Sequence, residues 1–169
     1  MGRISREVMF MQMARIASLR STCFRLNVGA IVTQGNNPIA VGWNGQEPGA
    51  PHCAGNACPG IVPGNCGTLH AEVNALTKAG QVLINADNHA VDLYCTDSPC
   101  PFCVNHIRVG TSLTVRRVFY EKPYRDMSAL DQLKIPDHDE CFPGVEGVYL
   151  VTPAGYIVDH FTRQVVEMP

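Results

Sequence analysis

The stretch TLHAEVNAL, Thr68 to Leu76, sets an imidazole, His70, two residues before a carboxylate, Glu72, at the start of an apolar helical pattern. Further along, SPCPFC supplies Cys100 and Cys103 at the spacing C-x-x-C, again where a helix opens. Two soft thiolates and one imidazole are a donor set that suits zinc, and three protein ligands leave one tetrahedral position open, the mark of a catalytic rather than a structural ion. Both sets of donors fall at predicted helix N-termini, where free N–H groups and the helix dipole favour negative charge and help deprotonate a thiol. Residues two apart diverge in mid-helix. At the tip of a helix they can flank one small volume, with His70 on the metal and Glu72 beside it, uncoordinated. Zinc lowers the pKa of a bound water toward ~7, and a neighbouring carboxylate can take that proton and deliver it to a substrate.

These residues need elements to hold them. SREVMFMQMARIASLR, with Ser5 as N-cap, predicts a helix with apolar Met9, Met13, Ile16 and Ala17 near helical spacing and Arg6, Gln12 and Arg15 turned elsewhere. NVGAIVT and PIAVGWN read as two strands joined by the turn QGNN, hence antiparallel. Residues 46–67, QEPGAPHCAGNACPGIVPGNCG, have no periodicity, and a loop that long asks for a staple or a function. Its three cysteines point to a metal staple. A helix from His70 to about Ala79 follows, then a strand AVDLYCT, the helix opening at PCPFCVNHIRV, a strand LTVRRVFY, a short helix around DMSALDQLK and a strand GVYLVTP. YIVDHF reads as a further strand or a tail. Strands alternating with helices predict an α/β domain with a mixed, partly parallel sheet of about five strands. No linker or repeat divides the 169 residues, so residues 1–169 read as one domain.

The composition is 46% hydrophobic and 17% charged, ordinary for a soluble enzyme, and the net charge of −2 gives no broad grip on nucleic acid or an anionic membrane. No apolar run reaches the ~18 residues of a membrane span, and MGRISREVMF has no signal-peptide core, so the expected location is cytoplasmic. In a reducing cytosol, eight cysteines with C-x-x-C spacing point to metal rather than disulfides.

A C-x-x-C alone is often a structural half-site or redox pair, and a lone helical His is usually ordinary. H-x-E followed by P-C-x-x-C is the signature of zinc nucleobase deaminases. With CFRLNVGAIV, GWNG, HAEVNA and SPCPFC, the chain resembles the deoxycytidylate (dCMP) deaminases of the cytidine deaminase-like superfamily over about Cys23 to Cys103, with KPYRD weakly similar. The resemblance implies a three-layer α/β/α fold, often a homohexamer, and hydrolysis of dCMP to dUMP and ammonia, commonly regulated by dCTP and dTTP, with Mg accompanying a nucleotide effector. It implies His70, Cys100 and Cys103 as zinc ligands, and Glu72 as the proton shuttle serving ring N3 and then the departing amine.

For the substrate, the peptide at Ala71 is a candidate for the base, Asn44 for the sugar, Asn74 for the sugar-phosphate side, and Lys78, Tyr124 and Arg25 for phosphate. Arg25 and Trp43 of GWNG are alternatively parts of an effector triphosphate site. The ordinary reading of any single Lys or Arg is a solvated surface charge. Related dCMP deaminases carry a structural zinc on cysteines matching Cys23 and Cys53; here Cys58 and Cys66 could complete a Cys₄ site, with His52 an alternative ligand and free buried thiols the competing reading. Cys95 belongs to the core, Cys141 has no evident partner, and His89, His106, His138, His160 and the acidic DHDE turn read as ordinary. The rivals are a deaminase of dCTP or of a C5-modified dCMP, a tRNA adenosine deaminase that shares the zinc motifs, and a zinc-stabilised binding or regulatory protein. Glu72 argues against the last, since a structural site has no use for an uncoordinated carboxylate.

Overall fold

Helix α1 (Arg6–Ser18) starts where Ser5 caps it, the hydroxyl accepting from the Val8 N–H at 3.3 Å. The computed structural model describes residues 2–53, 67–136 and 142–169. Cys58, Cys66, His138, Cys141, the DHDE turn and most of the cysteine-rich loop therefore lie outside the described residues. The buried stripe of α1 differs from the expectation: Phe10, Met11, Ala14 and Ala17 face inward, whereas Met9 is 39% and Ile16 68% exposed. Both stripes satisfy the helical period, and the larger aromatic decides which is buried. Phe10 packs on Tyr94 with ring centroids 5.2 Å apart.

The hairpin β1 (Gly29–Gln34) and β2 (Asn37–Trp43) is antiparallel, as the tight turn requires. β1 also pairs antiparallel with β3 (Ala90–Asp97), and β3 runs parallel to β4 (Thr114–Lys122), which runs parallel to β5 (Gly147–Val151). Two short strands, β6 (Ile157–Asp159) and β7 (Val165–Glu167), continue the sheet antiparallel. The order is β2-β1-β3-β4-β5-β6-β7, seven strands in place of about five. The extra strands come from the chain after Val151, which turns at Thr152–Gly155 and folds back on the sheet edge.

Helix α2 (Ala71–Val82) lies between β2 and β3 in sequence. Helix α3 (Pro101–Asn105) follows β3 and widens into a π turn, His106–Gly110. The segment predicted as a short helix is a 3₁₀ turn, Ser128–Lys134.

Alternation along the strands sorts the core into two layers. Ala30, Val32, Leu93, Cys95, Val118 and Tyr120 face a cluster with α2, α3 and the 3₁₀ turn. Ile31, Tyr94 and Phe119 face α1. On that second face an aromatic ladder crosses three strands, with Tyr94 stacked on Phe119 at 4.5 Å and Phe119 on Tyr149 at 5.0 Å. This is the α/β/α sandwich. Among the described residues, no helix is long and apolar enough to cross a membrane.

Small residues set the depth at which α2 rests on the sheet. Ala71, Ala75 and Ala79 are fully buried, and a Cβ added at Gly42 of β2 would stand 2.3 Å from the Ala71 carbonyl oxygen and 2.6 Å from the Ala75 nitrogen. Both are backbone atoms, so the helix itself would have to move. Gly42→Ala is expected to cost about 1–3 kcal/mol of unfolding free energy in denaturant titration, the usual cost of overpacking a filled core.

Candidate active site

α2 and α3 begin side by side. His70 is the N-cap residue of α2 (φ −76°, ψ 149°) and Cys100 that of α3 (φ −72°, ψ 168°), neither spending its side chain on a capping hydrogen bond. Pro101 at the first position of α3 presets the helical φ and removes an N–H that would lack a partner. The start of α2 is tied to the end of β2 by reciprocal bonds between Gly45 and Leu69, at 3.1 and 2.8 Å. The start of α3 is tied to the end of β4 by the Ser98 N–H on the Lys122 carbonyl at 2.8 Å.

His70 Nδ1 stands 3.2 Å from Cys103 Sγ and 3.5 Å from Cys100 Sγ, and the two sulfurs are 3.6 Å apart. A tetrahedron with Zn–S of about 2.3 Å and Zn–N of about 2.05 Å has S···S edges of about 3.8 Å and S···N edges of about 3.6 Å. The three donors thus frame a zinc-sized face, and among the described residues they are the one cluster of metal-type donors. The sulfurs behave as a pair. Cys100 is held down to about 4, first by its hydrogen bond with Cys103 and further by His70, while Cys103 is pushed well up, first by the same bond.

Glu72, in the first turn of α2, is 5% exposed. Burial is the main force on its carboxyl, raising it from 4.5 to about 7 against the opposing pull of a backbone hydrogen bond and of His70. Glu72 lies outside the donor trio yet bears on it, its charge and a hydrogen bond helping to raise Cys103.

A pocket opens beside the trio, at the carboxyl ends of β3 and β4, where ligands of α/β sheets commonly sit. Its wall contains His70, Ala71, Glu72 and Cys100 together with Cys23, Arg25, Asn44 and Tyr124. The Asn44 side chain is largely committed: its Oδ1 accepts from the Val28 N–H at 2.8 Å and the Ser21 hydroxyl at 2.7 Å, and its Nδ2 donates to the Leu26 carbonyl at 2.7 Å. It therefore shapes the 21–28 segment that carries Cys23 and Arg25.

The other candidates lie apart. Asn74 donates to the Trp43 carbonyl at 3.0 Å, and Lys78, one turn on, donates to the Val41 carbonyl at 3.1 Å and stands 4.6 Å over the Trp43 ring. One turn apart on α2, both point at β2, and neither these two nor Trp43 lines this pocket or the adjoining one.

Cys23 and Cys53 are half-buried and in no disulfide, Cys53 accepting from the Gln46 amide at 3.6 Å. Their two proposed partners fall outside the described residues, and His52 is exposed. Cys95 is fully buried, its S–H donating to the Phe119 carbonyl. His160, also buried, pairs with the Tyr120 hydroxyl at 2.8 Å.

Six wall residues escaped the sequence reading: Leu26, Val28 and Thr68, and the more telling Asp97, Ser98 and Arg125. Asp97 ends β3 and Ser98 follows it, directly before Pro99-Cys100, so chain geometry alone puts them beside the trio. Arg125 follows Tyr124 and donates to its hydroxyl at 3.2 Å.

Comparison with known proteins agrees with this geometry. The family described as "Cytidine and deoxycytidylate deaminase zinc-binding region" matches residues 4–121. The deoxycytidylate deaminase of Schizosaccharomyces pombe is 38% identical over 123 residues, 68% of this chain and 36% of that protein. ComE operon protein 2 of Bacillus subtilis is 35% identical over 126 residues, 74% of this chain and 64% of that protein. The chain thus spans less than two thirds of either relative. The dCMP deaminase of cyanophage S-TIM5, in a crystal structure with dCMP and dUMP, superposes with a TM-score of 0.64 at 32% identity, covering 86% of this chain and 98% of that one.

The raised Glu72 carboxyl has a consequence for stability. Its folded value of about 7 lies above the ordinary 4.5, so its contribution is fully present below pH 4.5 and lost as pH rises through 7. In metal-free protein, Glu72→Gln is expected to match the wild type near pH 4 and to exceed it by on the order of 2–3 kcal/mol at about pH 8, measured by denaturant unfolding at both values.

Proposed function

The chain belongs to the cytidine and deoxycytidylate deaminase zinc-binding family, and from that premise we propose that it hydrolyses the amino group of a cytosine deoxynucleotide, dCMP to dUMP and ammonia. One observation carries the reading: a buried carboxyl, Glu72, set beside a His-Cys-Cys trio without joining it. A purely structural site gains nothing from such a group. Zinc is the cofactor, held by His70, Cys100 and Cys103, and when bound it supplies a Lewis acid that makes hydroxide available near neutral pH.

The protein's own residues handle the protons and the fit. Glu72 takes one proton from the attacking water and passes it to ring N3; it then takes the second from the new C4 hydroxyl and gives it to the amine as the C4–N bond breaks, leaving a C4 carbonyl and ammonia. In the metal-free site burial lifts this carboxyl to about 7; beside zinc it would be drawn lower, toward the ionised form that the first proton transfer needs. The Ala71 peptide forms the wall against the base. Arg25 and Arg125, with Tyr124 between pocket and solvent, supply the positive charge that a 5′-phosphate requires. Asn44 holds the wall on the sugar side. Around Trp43, Arg20 at 5.6 Å and Lys78 at 4.6 Å form a separate cationic surface that suits a triphosphate effector such as dCTP or dTTP, with its Mg. A homo-oligomer belongs to the same reading.

The test follows ammonia release from dCMP, dCTP, C5-modified dCMP and tRNA in parallel. dCMP is expected to give the strong signal and tRNA none. Glu72→Gln is expected to lower kcat by at least about a hundredfold while zinc content by metal analysis stays at the wild-type level; surviving activity would remove Glu72 from the chemistry. Arg125→Ala is expected to raise KM for dCMP about tenfold with kcat little changed, the cost of one charge-assisted contact to phosphate.

A further inference from the structure

Asp97 is a carboxylate that the hydrolysis does not use. It ends β3, is 8% exposed and lines the pocket that holds Glu72 and the metal donors. One oxygen, Oδ2, accepts from the Thr96 hydroxyl at 2.9 Å, and that hydroxyl in turn accepts from the Gly29 N–H at 3.2 Å. This relay to β1 fixes the direction of the side chain. Among the described residues, no donor reaches the second oxygen, and no salt bridge involves the residue. That oxygen is not among the fully enclosed unpaired atoms of the described residues and faces the open pocket; a ligand that covers it without donating to it would leave a carboxylate oxygen stripped of water and unpaired, which is costly.

The chemistry of the substrate narrows what could complete it. On a cytosine ring, N3 and O2 are acceptors and repel a carboxylate. The exocyclic amine is the ring's only donor, and it is the leaving group, committed to the reaction centre. A partner for Asp97 must therefore be a donor elsewhere on the nucleotide.

We propose that Asp97 is a specificity-determining residue whose free oxygen accepts a hydrogen bond from a substrate hydroxyl. Two hydroxyls fit that description: the 3′-hydroxyl of the deoxyribose, and a hydroxymethyl group carried at ring C5. Either way Asp97 selects by penalty, because a substrate lacking the hydroxyl leaves a buried acceptor unpaired. Sites of that kind reject the deficient analogue far more strongly than apolar pockets discriminate by size. The proposal rests on the deaminase reading and deepens it.

The test measures kcat/KM for dCMP, 2′,3′-dideoxy-CMP and 5-hydroxymethyl-dCMP with zinc-loaded wild type, Asp97→Leu and Asp97→Asn. Asn keeps the shape and the acceptor for Thr96, so it reports even if Leu fails to fold. If the sugar supplies the hydroxyl, wild type favours dCMP over the dideoxy analogue by about a hundredfold or more, and both variants bring that ratio within about tenfold. If the ring supplies it, the preference of similar size is for 5-hydroxymethyl-dCMP over dCMP, and the variants lose it. Ratios equal in wild type and variants, or an equal loss on all three substrates, overturn the proposal and leave Asp97 a structural residue. Should the wild type deaminate none of the three, the deaminase reading itself falls and takes this inference with it.

Discussion

Two helices must begin at one point, and the chemistry depends on that convergence. α2 brings an imidazole on its N-cap residue, α3 brings one sulfur on its N-cap and a second one turn later, and the three donor atoms meet within 3.2–3.6 Å. The sheet imposes the meeting. β3 and β4 are parallel, so the chain leaving β3 must cross the face of the sheet before returning, and α3 is that crossover. α2 arrives from the hairpin and rests flush on it because Gly42 presents no side chain under its first turn. Helix N-termini are electropositive, so the same geometry that gathers the donors also favours thiolate over thiol.

The arrangement is held at a cost that the rest of the fold offsets. Glu72 and Asp97 are both buried, both carry carboxyls raised by desolvation, and both face the same small volume. Among the described residues, neither is neutralised by a salt bridge. On the opposite face of the sheet a buried acid is treated differently: Asp92, 4% exposed, is clamped in two places by Arg117 at 2.5 and 3.1 Å. That contrast separates a carboxylate used for packing from carboxylates kept available. Two apolar layers, one under α1 and one under α2 and α3, supply the burial against which such groups can be carried.

Much of this was legible in the residues themselves. The trio and Glu72 stood out because zinc chemistry demands particular side chains at particular spacings, and spacing is what a sequence displays. The hairpin, the alternation of elements and the cap at Ser5 followed from local rules. What did not follow depended on competition between equivalents. Two stripes of α1 satisfy one period, and only the fit of Phe10 against Tyr94 chooses between them. Asn74 and Lys78 are polar residues on the right helix, yet at about 100° per residue they stand roughly 200–240° around it from Glu72 and meet β2 instead of the pocket. Asp97 reads as a strand-ending residue until the fold shows what that end faces. Of the two terminal strands, β6 falls within YIVDHF, which the residues left between a strand and a tail, and β7 escaped; three residues carry almost no periodic signal.

The tie between Ser98 and Tyr124 carries one more implication. The Ser98 hydroxyl accepts from the Tyr124 N–H at 2.7 Å, and Ser98 stands two residues before the metal donor Cys100. The segment that carries Arg125 on the pocket wall is thus bolted to the segment that carries Cys100. Any tug on the mouth of the cleft is relayed to the floor through one short strut, so that grip and reactivity are mechanically joined rather than independently adjustable.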